Sequence, residues 1–222
     1  MAGMRRPGGL RHVFLIGVDL GQRRDHSAVA VVERMPREAR GFDPVAWRMN
    51  VEALPDEWVV RHLERMPLGT PYTEVTERVV ALARHPRLQG SCRLVVDATG
   101  VGMPVVDMLR AARPGCAILP VWITGGEKER FDGAVWRVPK LDLLARLQAL
   151  LETKRLRIPR RMRETERLMR ELMSMRSERR ASEHLKVGAE GAGEHDDLAL
   201  AVGLAVWPGR KPRVGEQGAR LI

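Results

Sequence analysis

Val13-Phe-Leu-Ile-Gly-Val-Asp19, then the polar turn Gly21-Gln-Arg-Arg-Asp-His-Ser27, then Ala28-Val-Ala-Val-Val-Glu33: this stretch decides the fold. Two short apolar runs rich in β-branched residues, joined by turn-forming residues, read as an antiparallel hairpin. The first run ends on a carboxylate. Beside that much apolar chain, Asp19 is costly to desolvate unless it is hydrogen-bonded, neutralised or holding a cation. The pattern recurs in Leu94-Val-Val-Asp97, and again where Asp196 and Asp197 open the run Leu198–Trp207. Taken singly, each has an ordinary reading. Asp19 can open the turn at Leu20-Gly21, Asp97 can start an Asx-type turn, and Asp196 can cap a helix. Asp197, one step inside a helix that is apolar nearly all round, is harder to explain so. A single cause for all of them is a divalent-cation site at the mouths of two adjacent strands and the start of a buried helix.

Working outward, a third strand is expected at Val45–Val51 and a helix at Pro71–Ala83, with Val75, Val79 and Leu82 on one face. A fourth strand, Arg93–Asp97, leads through Gly100-Val-Gly-Met-Pro104 into a helix over Val105–Ala112, and a fifth strand follows at Ala117–Ile123. Gly125–Gly133 reads as a loop or hairpin tip. The expected class is α/β: a five-stranded mixed sheet, an antiparallel three-strand meander plus two parallel strands, flanked by helices on both faces. Two further helices are expected over Lys140–Thr153, with Leu143, Leu144, Leu147, Leu150 and Leu151 inward, and over Arg161–Met175, with Leu168, Met169, Leu172 and Met173 inward. Glu164, Glu166, Glu171 and Glu178 can pair with the arginines crowding that last helix, as a solvated face or one turned to DNA. The folded unit is expected at residues 11–207, with a flexible basic N-terminus at 1–10 and a flexible tail at 208–222.

Composition narrows the class of partner. The formal net charge is +10 over 222 residues, and Lys occurs only at 128, 140, 154, 186 and 211, so arginine supplies the rest of the 38 basic residues. The guanidinium fork pairs bidentately with phosphate, which suits a protein that tracks a nucleic-acid backbone. Few aromatic residues, 4% of the chain, argue against a dedicated single-strand binder and for duplex phosphates. Cys92 and Cys116 match no zinc spacing and read as core residues of a reducing compartment, so a cytoplasmic setting is expected. No apolar stretch approaches the roughly 20 residues needed to span a bilayer.

The ordered set Ile16-Gly-Val-Asp-Leu-Gly21 with Asp25-His-Ser-Ala-Val-Ala-Val-Val32, Leu94-Val-Val-Asp-Ala-Thr-Gly-Val-Gly102, Val138-Pro-Lys140 and His195-Asp-Asp-Leu-Ala-Leu-Ala-Val202 resembles the nuclease domain of phage large terminase subunits. The resemblance implies an RNase H-like fold, a phage or prophage origin in a bacterial host, and cleavage of double-stranded DNA with two divalent cations, Mg²⁺ or Mn²⁺. It puts Asp19, Asp97 and Asp197 on the metal-binding triad, with Asp19 bridging the ions and Asp196 and His195 flanking. Lys140 is expected to contact the phosphate, and His195 to assist proton transfer or serve structurally. The candidate contacts to the DNA backbone are Arg23, Arg24, Lys128, Arg130, Arg137 and Lys140. No Gly-x-x-x-x-Gly-Lys-Ser/Thr phosphate loop occurs in the sequence, so the expectation is a nuclease without the packaging motor, either an excised domain or a free-standing relative, and Met1-Ala-Gly-Met, which reads like a natural start, leans to the second. A separate packaging ATPase, a small terminase or a portal are the partners so implied. Rival readings are a Holliday-junction resolvase-like nuclease, an actin-like kinase suggested by Val18-Asp-Leu-Gly21, and a non-catalytic DNA-binding packaging accessory.

Overall fold

The computed structural model describes residues 12–21, 25–43, 45, 47–126, 128–182 and 196–210. In chain order they form β1 (Val13–Asp19), β2 (Ala28–Asp43), β3 (Arg48–Arg65), α1 (Tyr72–Ala83), β4 (Cys92–Asp97), α2 (Gly102–Ala111), β5 (Ala117–Thr124), β6 (Arg130–Phe131), β7 (Trp136–Pro139), α3 (Lys140–Glu152), β8 (Leu156–Arg157), α4 (Thr165–Ser182) and α5 (Asp197–Val206). A short 3-10 turn, Trp207–Arg210, closes the described part. The strands make one mixed sheet in the order β6-β7-β5-β4-β1-β2-β3-β8. The antiparallel meander β1-β2-β3 and the parallel pair β4 and β5 stand as expected, with β4 parallel to β1.

The sheet has eight strands rather than five. Short β6, β7 and β8 carry too few residues to show a period of their own. Gly125–Gly133, read as a loop or hairpin tip, contains β6, which forms a hairpin with β7. The hairpin arms are also longer than expected. Val45 lies in the turn between β2 and β3 rather than in a strand, and β3 continues far past Val51 to Arg65. Pro36 and Pro55 lie where the β2–β3 register shifts between Met35 and Arg37. A bulge tolerates proline because no ladder hydrogen bond is asked of it there.

Alternation along β1 divides the core. Ile16 and Val18 face the α1 and α2 layer, with Val75, Val79, Val105 and Leu109. Leu15 faces the other side, with α3, α4 and α5. All ten residues of α5 are buried, because it lies between the sheet and α3 with α4, which is why it reads as apolar all round. The helix can lie this close because position 17 is glycine: a Cβ there would land on the Ala201 carbonyl oxygen. In α3, Leu143, Leu147 and Leu150 are buried as expected. In α4 the inward face is shifted. Thr165, Leu168 and Glu171 are buried, at three-residue spacing, whereas Met169 and Met173 are exposed. Residues 1–10, expected to be flexible, lie outside the described residues, as do 211–222 of the tail expected at 208–222, while Pro208–Arg210 belong to the 3-10 turn.

Candidate active site

Val18 pairs with Val96 across the parallel strands, so the next residues, Asp19 and Asp97, leave the same edge of the sheet side by side. Each follows a residue of the α1–α2 layer, Val18 or Val96, so both carboxylates turn to the α5 face. The close contact at Gly17 sets the third acid. From Ala201 back to Asp197 is one turn of helix, about 6 Å, and from Gly17 to Asp19 is about the same distance along the strand. The start of α5 therefore stands over the end of β1. Farther along the edge, β5 and β7 run parallel to β4, and β7 ends at Pro139 with Lys140 opening α3.

Asp97 is oriented by Thr99, whose backbone N–H and hydroxyl both donate to Oδ1, at 2.9 and 2.5 Å. Thr99 Oγ1 in turn accepts from the Ile123 N–H of β5 at 2.9 Å. The Asx-type turn is thus real and also aims the carboxylate. Gly102 lets α2 start against it, since a Cβ at that position would strike the Asp97 carbonyl. Burial raises the Asp97 pKa, against those two hydrogen bonds.

Asp19 is the most perturbed acid of the group. Burial, then the negative charges of Asp97, Asp197 and Asp196, push its carboxyl well above the usual range, with Lys140 alone pulling it down. Asp197 is buried and gives Oδ2 to Arg65 Nε at 2.9 Å, a pair whose side chains are 4% and 9% exposed. Asp196 departs from its expected role. It stands at the N-cap position but makes no capping bond from its side chain. Its Oδ2 instead takes Lys140 Nζ at 2.6 Å. The cap comes from α4, where Glu171 Oε2 accepts the Ala199 N–H at 2.9 Å. Glu171 is buried, its other oxygen has no hydrogen-bond partner, and burial raises its pKa to about 7. It is therefore not a member of a solvated salt-bridged face.

Asp19, Asp97, Asp196, Asp197 and Lys140 are brought together as expected. His195, Arg23 and Arg24 lie outside the described residues. Arg65, Glu171 and Thr99 were not foreseen as parts of the site. Glu171 had a signal, its three-residue spacing from Leu168 on the inward face of α4; Arg65, at the end of a long polar strand, had none. Of the proposed backbone contacts, Lys128 and Arg130 are exposed, and Arg130 faces Arg137 across β6 and β7. Arg137 is tied to Asp132 at 3.1 Å and lies over the Trp122 ring at 5.4 Å. Because β6 runs antiparallel to β7, residues before Arg130 extend toward the carboxylate edge.

Carboxylate oxygens are the donors a hard divalent cation prefers, and a cation would relieve the repulsion around Asp19. In kind, then, the donor set fits such an ion. As the side chains stand, no three Asp, Glu, His or Cys residues among those described close round one. Arg65 and Lys140 hold two of the four carboxylates instead.

No family model matches the sequence, and no curated protein matches it significantly. Among solved structures, the large terminase nuclease from thermophilic phage G20c with bound magnesium superposes with a TM-score of 0.51, at 21% identity, covering 90% of this chain and 82% of that one. The same nuclease with bound zinc gives a TM-score of 0.48 at 22% identity, covering 90% and 81%. On the first of these the chain is a mixed α/β domain of RNase H-like, terminase-nuclease-like fold.

Proposed function

We propose that the protein is a metal-dependent endonuclease that hydrolyses phosphodiester bonds of double-stranded DNA. The observation that carries this reading is the gathering of Asp97, Asp197 and Asp196 around a buried Asp19 at one edge of the sheet. The fold and the arginine-driven net charge of +10 support it. Asp19, Asp97 and Asp197, with Asp196, would hold two divalent cations, Mg²⁺ or Mn²⁺; Arg65 is bonded to Oδ2 of Asp197, and the carboxylate has a second oxygen to offer an ion. When bound, such ions supply charge neutralisation at the phosphate and a more acidic water.

The chain's own residues do the rest. Thr99 fixes the Asp97 oxygen, and Glu171 anchors the start of α5 so that Asp197 points to the edge. Lys140, beside Asp196, offers an ammonium to a phosphate oxygen in reach of the cluster. Lys128 and Arg130 hold the backbone of the duplex on the approach to that edge. His195 assists proton transfer, and Arg23 and Arg24 add phosphate contacts. Residues 11–207 form the nuclease unit, acting in the host cytoplasm with a separate packaging ATPase, small terminase or portal.

The test is cleavage of plasmid and linear duplex in Mg²⁺ or Mn²⁺ with and without chelator, for the native chain and Asp19→Asn. Cleavage that needs the ion and Asp19, with little sequence preference and binding that weakens with salt, is expected. Cleavage indifferent to both sinks the reading, and a strong preference for four-way junctions transfers it to a resolvase.

A further inference from the structure

The two cysteines, which the nuclease chemistry does not use, stand together. Arg93 of β4 pairs with Ala117 of β5, so the residues just before them, Cys92 and Cys116, are neighbours across parallel strands. Both side chains turn to the α1–α2 layer. Adjacent strands lie about 4.8 Å apart, inside the roughly 4.4–6.8 Å between Cα atoms that a disulfide spans. The Cys92 thiol donates to the Ala83 carbonyl at 3.7 Å, and interaction between the two thiols lowers the Cys92 pKa and raises that of Cys116. Both cysteines are free; Cys92 is buried, and Cys116 is part-exposed in a shallow cleft with Arg110, Arg113 and Ile118. Cys92 and Asp97 are the first and last residues of β4, so the pair is remote from the carboxylates.

We infer that Cys92 and Cys116 form a reversible dithiol that closes to an intrachain disulfide, with a low-molecular-weight disulfide as oxidant. Cys116, the accessible sulfur, attacks the oxidant as thiolate, after its proton passes to Cys92 or to water. A mixed disulfide forms and one small thiolate leaves. Cys92 then gives up its proton and attacks the Cys116 sulfur, expelling the second small thiolate. The cysteines lose two electrons, the oxidant gains them, and each small thiolate takes up one of the two protons released. Arg110 and Arg113 at the cleft favour an oxidant that carries carboxylates. The closed form ties β4 to β5 at their starts and restricts the unfolded chain, so it is the more stable form.

This inference stands apart from the nuclease reading, and its test needs no DNA. The full chain is incubated with excess oxidised glutathione or with dithiothreitol, then alkylated and mapped by peptide mass. Oxidised protein is expected to show no alkylated cysteine, a Cys92–Cys116 cross-linked peptide lighter by two hydrogen atoms, and a thermal midpoint several degrees above the reduced form. Dithiothreitol should reverse the shift, and Cys116→Ser should show none. Two alkylatable thiols after prolonged oxidation, glutathione retained on Cys116, or cross-linking only between chains would each overturn it.

Discussion

Asp19 and Glu33 are two buried carboxylates on one hairpin, near opposite ends of β1, and their surroundings differ in kind. Glu33, opposite Phe14, takes the His12 ring nitrogen on Oε1 at 2.6 Å and Arg61 on Oε2 at 2.7 Å. Burial works against its charge, yet these partners hold its pKa below the ordinary value. Asp19 has burial and three neighbouring acids acting in the same direction, against one lysine, and its pKa goes up. A fold that compensates a buried charge at one end of a strand and crowds like charges at the other has a use for the crowded end. The start of α5 repeats the lesson within two residues. Asp197 is buried against Arg65, while Asp196 reaches out to Lys140 and leaves the capping of α5 to Glu171.

The comparison breaks first at the crowded end. Asp19→Asn, Asp97→Asn and Asp197→Asn should each reduce metal-dependent cleavage to background, because Asn keeps the volume but not the charge. Wild-type cutting rates in two of the three would remove the triad. Their stabilities should then diverge. Without metal, Asp19→Asn should melt at or above the native temperature, since like-charge crowding is relieved. Asp197→Asn should melt below Asp19→Asn, because it leaves Arg65 buried without its carboxylate partner, and breaking such a pair costs as much as about 3–5 kcal/mol. Calorimetry on the two metal-free variants checks the order.

Glu171→Ala should cost about 1–3 kcal/mol, the range for a buried amide left without its acceptor, with weaker Mn²⁺ binding as the start of α5 loosens; Glu171→Gln should recover most of both. Urea unfolding and a Mn²⁺ titration read these separately. The pH dependence has a definite sign. With a folded pKa raised from 4.5 to about 7, Glu171 contributes stability at acid pH that is lost as pH rises through that window. Native protein should therefore lose stability relative to Glu171→Gln between those values; a flat difference would mean that Glu171 does not titrate there.

Glu33 should behave in the opposite sense. Its lowered pKa makes its contribution present above the ordinary value of 4.5 and lost as pH falls through the folded pKa. Glu33→Gln should cost about 1 kcal/mol at neutral pH, leave cleavage unchanged, and flatten the acid side of the unfolding curve. The smallest effect is expected at Asp196→Ala. A part-exposed ion pair is worth about 0–1 kcal/mol, and no helix cap is lost. Thermal melting that falls as far as in Glu171→Ala would give the cap back to Asp196.

The central elements were legible because their residues carry the signal locally. β1, β4, β5, α1, α3 and α5 are apolar runs or periodic faces, and they appear close to where the sequence put them. The outer half of the β2–β3 hairpin was not legible, because with neither face buried in a core it shows charges and prolines without alternation. The short strands β6, β7 and β8 exist only because the sheet edge is there to pair with.

The sequence by itself determined which carboxylates are anomalous, since an acid at the end of an apolar run is improbable whatever the fold, and it determined the charge that suits a polyanionic partner. Only the tertiary structure decided that β1 and β4 are neighbours, that α5 lies against Gly17, and hence that Asp19, Asp97 and Asp197 meet at one edge. It alone paired Asp197 with Arg65, 132 positions away, and gave the α5 cap to Glu171, 28 positions away. Hydrogen bonds and ion pairs act over a few ångströms, and residues that far apart in the chain come within that range only when the sheet order and the helix packing have been chosen.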